Sequence, residues 1–213
     1  MATSAPERTT NHTRQNRSRR FRAILAGGLV LGVGAAVTLA AWNDSEFAQG
    51  TFTAGSFNMV GSTDGTTFTD HATAAVGTVA TLPFTVPAVN LTPGDTTYAG
   101  FAVRLTAATT TDAVVTVSNS ATTGVVTNLS YTVIDTGATF GCTADSTGTA
   151  LIPAATAIGT VPASTTFTLP KGVSTGVDGV AHNLCFKVTA GPGLTQGQSG
   201  TATWQFLAAS ATQ

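Results

Sequence analysis

Residues 172–176 read Gly-Val-Ser-Thr-Gly and match the G-x-S-x-G pattern of a serine nucleophile, and Asp178 and His182 follow in the Ser-Asp-His order of a hydrolytic triad. That pattern works because a strand-to-helix elbow lifts the serine above a parallel sheet. Here the flanks are Gly- and Thr-rich, and the three groups fall within nine residues. So short a stretch cannot readily bring them together from one side with an oxyanion hole. Chance in a Gly- and Ser-rich chain accounts for the match better. A zinc protease needs two histidines one helical turn apart with a glutamate between them, and no H-E-x-x-H is present. His71, His182, Cys142 and Cys185 hold the side chains of a Cys2His2 site, but their spacing fits no structural zinc pattern. Asp64, Asp70 and Asp95 are candidate calcium ligands, yet each stands beside Gly or Thr as turn residues do, and EF-hand spacing is missing. The expectation is a protein without catalytic, cofactor-binding or metal-binding residues.

The elements that would carry these residues read as strands. Phe101, Val103 and Leu105 alternate with Gly100, Ala102, Arg104 and Thr106. Val115 and Val117 alternate with Thr116 and Ser118, and Tyr131 and Val133 with Thr132 and Ile134. Leu184, Phe186 and Val188 share one face opposite Cys185, Lys187 and Thr189, and Ala202, Trp204 and Phe206 share another. A period of two with one apolar face is half-buried strand chemistry. Residues 82–86 suggest a shorter strand, placed at an edge or a start by Pro83. Turn signals stand at 93–95, 122–124, 135–137, 191–193 and 196–200. The stretches 143–164 and 171–181 are dominated by small residues and read as long loops or lids. Seven to nine short strands without a helical period predict an all-β, antiparallel sandwich or barrel.

Charge is distributed unevenly. Arg8, Arg14, Arg17, Arg19, Arg20 and Arg22 precede an uncharged run of 19 residues, 23–41. A basic stretch, an apolar stretch and small residues at its end form an export signal. The run is also just long enough to span a bilayer, so an uncleaved anchor is the alternative. Gly27, Gly28, Gly32 and Gly34 weaken a stable spanning helix, and cleavage is expected after Ala40 or Ala41. The organisation expected is a signal, 1–41, and a single domain, 42–213. That domain holds three basic residues against nine acidic ones, a net charge of −6, which disfavours nucleic acid as a partner. Cys142 and Cys185 are its only cysteines, and an even count in an exported chain predicts a disulfide between them.

At the junction, Trp42-Asn43-Asp44-Ser45-Glu46 is followed by Gly50-Thr51-Phe52-Thr53-Ala54-Gly55-Ser56-Phe57-Asn58-Met59. This resembles proteins exported through the SipW-type signal peptidase of Gram-positive bacteria, the class of TasA and camelysin. Later stretches resemble its actinobacterial branch of alternate signal-mediated exported proteins. They include Leu91-Thr92-Pro93-Gly94-Asp95, residues 98–105, Leu184-Cys185-Phe186 and Thr203-Trp204-Gln205-Phe206. The resemblance implies cleavage between Ala41 and Trp42 by such a peptidase and a jelly-roll-like β-sandwich. It also implies a secreted or cell-surface matrix protein, as in biofilm fibres where the N-terminal strand of one subunit completes a sheet of the next. Trp42, Phe47, Phe52 and Phe57 are the aromatic positions of that candidate donor strand, and matrix or cell-wall components are further partners. Camelysin brings a metalloprotease activity into view, for which this sequence offers no motif. The remaining alternative is a monomeric extracellular binding module, an adhesin or carbohydrate binder.

Overall fold

The computed structural model describes residues 19–25, 46, 48–51, 54–75, 77–85 and 90–211. The chain divides into two compact units, Met1–Phe52 and Thr53–Gln213. In the first, residues 19–25 are helical. Among the described residues no helix is long and apolar enough to cross a membrane. The cleavage pair Ala41 and Trp42, and the aromatics Phe47 and Phe52, lie outside the described residues.

The second unit is an all-β sandwich. Its strands are β1 (Met59–Ser62), β2 (Thr96–Leu105), β3 (Ala113–Gly124), β4 (Leu129–Gly137), β5 (Thr149–Ala157), β6 (Thr166–Leu169), β7 (His182–Ala190) and β8 (Gly200–Ser210). They form one sheet of order β1-β2-β7-β4-β5 and another of order β6-β3-β8, with every named pairing antiparallel. The alternation read from the sequence sets the two inner faces. Phe101, Val103, Leu105, Tyr131, Val133, Leu184, Phe186 and Val188 from one sheet meet Val115, Val117, Phe167 and Leu169 from the other, all buried. Burying each such side chain contributes roughly 1.5–3 kcal/mol.

An eight-stranded jelly roll pairs its strands as 2-7-4-5 in one sheet and 1-8-3-6 in the other. Both patterns are present here, with one departure. β1 lies beside β2, at Met59↔Leu105 to Ser62↔Ala102, and not beside β8.

Three sequence expectations need correction. Part of the stretch 143–164 is strand β5, not loop. Its alternation is hidden because Pro153 and Ala155, the latter at φ 62°, lie in an excursion where the register on β4 shifts between Tyr131 and Val133. Conversely, residues 82–85 are not a strand, and Val86 is outside the described residues. Ala80, Leu82 and Phe84 turn inward and Thr81, Pro83 and Thr85 outward, as in a strand. The backbone does not join a ladder: Phe84 N–H turns back to the Leu82 carbonyl at 2.9 Å, and only Thr85 bonds to β2, its N–H donating to the Tyr98 carbonyl and its carbonyl accepting from the Thr97 hydroxyl. The turn signal at 122–124 is also absorbed, because β3 runs through it to Gly124 against β8.

The disulfide between Cys142 and Cys185 is present. It clips residues 138–148 onto the outer face of the larger sheet. Lys187 reinforces the clip, its Nζ donating to the carbonyls of Ala144 at 2.7 Å and Ser146 at 2.9 Å. Phe140 packs over Gly65 and Gly100, where a side chain would meet its ring. Gly65 closes the turn after β1 at φ 74°, a conformation that favours glycine. The Asp64 carboxylate organises that turn, accepting from Thr67 N–H at 2.7 Å, Thr66 N–H at 2.8 Å and the Ser62 hydroxyl at 2.8 Å. These donors hold its carboxyl well below the usual carboxylate range.

Removing the disulfide should destabilise the domain. It closes a loop with a sequence separation of 43. Replacing both cysteines by alanine is expected to cost about 4 kcal/mol, read by urea unfolding. Asp64→Asn should lower the unfolding midpoint at neutral pH. Because the folded pKa is depressed, the carboxylate's contribution is complete above its unfolded pKa and fades as pH falls through the folded one. The gap between Asp64→Asn and the unmodified chain is thus expected to close in strong acid, measured by thermal melts across pH.

Candidate functional site

Each sheet edge exposes unpaired backbone N–H and C=O groups that can template another strand. Three of the four edges in this sandwich are blunted. β1 is four residues long, and Gly61 exchanges two backbone hydrogen bonds of 2.9 Å with Thr69 on its outer side. β5 carries Pro153 and the register excursion. β6 is again four residues. β8 is different: it has eleven residues, GTATWQFLAAS, without a charge or a proline. Among the described residues no backbone hydrogen bond reaches its side away from β3.

Along this edge runs a crevice of about 680 Å³ between the two sheets. Ala202, Trp204, Phe206 and Ala208 of β8 form one wall, and Met59, Gly61, Phe101 and Val103 form the other. Leu82 and Phe84 line it from the segment before β2, and Phe57 from the segment before β1. Its inner end is closed by aromatic packing, with Trp204 5.0 Å from Phe186 and 5.4 Å from Tyr131, and Phe206 5.5 Å from Phe101. The Tyr131 hydroxyl donates to the Thr160 carbonyl at 2.7 Å, and burial pushes its pKa up. The neighbouring Trp204 indole offsets part of that rise but makes no hydrogen bond of normal geometry. Trp204 Nε1 and His71 Nδ1 are both buried without a partner, and both residues line the crevice. A buried polar atom left unpaired costs roughly 1–3 kcal/mol, so the crevice is a place of incomplete satisfaction.

The residues of the apparent triad are engaged separately. Asp178 pairs with Arg104 at 2.6 Å and accepts from the Ala107 N–H at 2.8 Å. His182 Nδ1 meets Asp135 at 3.0 Å, with its ring stacked on Phe167 at 5.3 Å. Ser174 stands exposed in the loop between β6 and β7. That loop displays Val173, 92% exposed, and Val180, but no aromatic residue. Asp64 and Asp95 close their own turns, Asp95 accepting from Thr92 at 2.8 Å, and no cluster of three metal-binding side chains forms among the described residues. Cys142 and Cys185 are spent in the disulfide, which removes them as metal ligands.

Of the candidate donor aromatics only Phe57 is described. It is 39% exposed and lies beside the bridge between Ser56 and Thr109. The open edge of β8 was not singled out by the sequence reading. Its signal was available as an eleven-residue alternating stretch free of charge and proline, but strand order decides which such stretch is left at an edge.

Trp204→Ala should widen the crevice and remove the aromatic packing at its inner end. Trp204 keeps some exposure, so the expected loss is about 3 kcal/mol, at the lower end for such truncations, read by urea unfolding. A comparison with protein-family models and with curated proteins finds no match for this chain.

Proposed function

We propose that this chain is an exported cell-surface or matrix subunit that assembles by strand donation. Residues 42–54 of one copy lie along β8 of another, while Ser56 and Phe57 stay on their own domain. The observation that carries the reading is the uncharged eleven-residue edge of β8 above an apolar crevice. It stands where a jelly roll pairs its first strand with its last. Main-chain hydrogen bonds would supply affinity, and the crevice would receive alternate side chains. The donor chemistry fits. Trp42, Phe47 and Phe52 are five residues apart, so in an extended strand Trp42 and Phe52 share one face and Phe47 takes the other. One aromatic pair would enter the crevice while small residues pass between.

Export is part of the same reading. The basic and apolar start of the chain supports it, and so does a disulfide, which persists in oxidising compartments. Cleavage between Ala41 and Trp42 by a SipW-type signal peptidase would free the donor segment. With no cluster of three metal-binding side chains among the described residues, and with Asp178 and His182 engaged apart, a non-enzymatic role fits the site better than catalysis.

Two forms of the chain, beginning at Trp42 and at Gly55, test the proposal by negative-stain electron microscopy and sedimentation. The longer form is expected to give filaments or ladders of oligomers at micromolar concentration, and the shorter form monomers. Monomers from both would reject strand donation and turn attention to a monomeric binding module.

A further inference from the structure

We infer that the strand donated to β8 runs antiparallel to it, so that copies join by opposite ends, the loop 171–181 of one copy against the loops 124–129 and 191–199 of the next. The inference rests on the strand-acceptor reading of β8 and deepens it, fixing the direction of the strand, the copy it comes from and the surfaces that meet.

The chain enters the sandwich at one end of β8. Gly55 lies tight against the Thr110 side chain, and Ser56 bridges Thr109 while its carbonyl accepts from Thr110 N–H at 3.1 Å. Two residues on, the Asp112 carbonyl accepts from Ala211 N–H at 2.8 Å, and Ser210 stands opposite Ala113. Gly55 is therefore beside the C-terminal end of β8. At the other end Gly200 stands opposite Gly124, and Val125 N–H donates to the Ser199 carbonyl at 2.8 Å. Eleven residues of strand hold the two ends about 34 Å apart.

Every named pairing in both sheets is antiparallel, and antiparallel ladders are the more stable per residue. An antiparallel strand along the whole of β8 brings residue 54 to Gly200, at the far end from Gly55 of the same copy. Consecutive Cα atoms are only about 3.8 Å apart, so one chain cannot occupy both places. The strand must come from another copy. With residue 54 of the donor at Gly200 of the acceptor, the donor's entry end abuts the acceptor's Gly200 end. Opposite ends meet, the contact is heterologous, and its repetition leaves the assembly open. A parallel strand has the reverse consequence. Its residue 54 lies at Ser210, where the segment closes its own edge or is exchanged between two copies in a closed two-fold dimer.

The two ends carry apolar side chains for such a joint. At the entry end, the loop 171–181 exposes Val173, Val177 and Val180. Its backbone is pinned, with Gly179 N–H donating to the Leu105 carbonyl at 2.9 Å and Asp178 holding Arg104 and the Ala107 N–H. At the opposite end Val125 is exposed, and the loops 124–129 and 191–199 bring no charged residue to the contact.

The direction of the strand is read with a peptide of residues 42–54 that carries a nitroxide on Thr53→Cys. It is added to the full chain, kept dilute so that no assemblies form, and the β8 amides are followed by NMR. Broadening is expected at Thr201 and Ala202 and not at Ala209 and Ser210. The reverse pattern would overturn the inference and leave strand donation standing. No broadening anywhere along β8 would reject strand donation and this inference with it. The ends are read by substitution in the form beginning at Trp42, at two exposed valines whose replacement leaves the core intact. Val173→Lys and Val125→Asp are each expected to raise the concentration needed for filaments about tenfold, and the double variant, with opposite charges across the joint, to recover most of that loss. An effect of Val173→Lys with none of Val125→Asp is the pattern of like ends meeting and would overturn the inference, as would filaments indifferent to both.

Discussion

Backbone amides and carbonyls at the edge of a sheet have no ladder partner, and a β-sandwich must shorten, cover, distort or pair each edge. The architecture of this domain follows from how unequally it meets that demand. Short β1 and β6 present little edge, and β5 is distorted around Pro153 and Ala155. β8 is long, regular and free of charge, and it borders the crevice that separates the two sheets on that side. The aromatic cluster of Trp204, Phe206, Phe101, Tyr131 and Phe186 is the inner end of that crevice and part of the hydrophobic core at once. Stability and the candidate site thus share the same side chains.

The outer face of the larger sheet is treated in the opposite way. The disulfide, the Phe140 ring over Gly65 and Gly100, and the Lys187 ammonium under two loop carbonyls cover it. The few cations of the domain all hold loops. Arg104 binds Asp178 while stacking 4.0 Å over Phe68, Lys171 reaches the Thr110 carbonyl at 3.2 Å, and Lys187 completes the clip. The smaller sheet, β3, β6 and β8, carries no charged side chain.

The groups that suggest chemistry in the sequence are absorbed by this framework. Asp178 orients the loop that contains the G-x-S-x-G match, and His182 joins β7 to β4 through Asp135. Asp64 and Asp95 satisfy backbone donors in their own turns. Such roles use the same properties that catalysis would use, a fixed carboxylate or a positioned imidazole, but without a common centre.

Much of the fold was legible in the chain because strand chemistry is local. The period-two patterns around Phe101, Val115, Tyr131, Phe186 and Trp204 reflect a pleat that puts alternate side chains in water, and each became a strand with the expected face inward. The disulfide was legible from the cysteine count. β5 was not, because Pro153 and a bulge break its period. Residues 82–85 misled in the other direction, since side-chain alternation survives where backbone pairing does not. By itself the sequence determined which residues face the core and that the domain is all β. Only the tertiary structure decided that the outer edge of β8 borders a crevice without a partner strand among the described residues, because an edge is a property of strand order, and strand order is set by contacts between residues far apart in the chain.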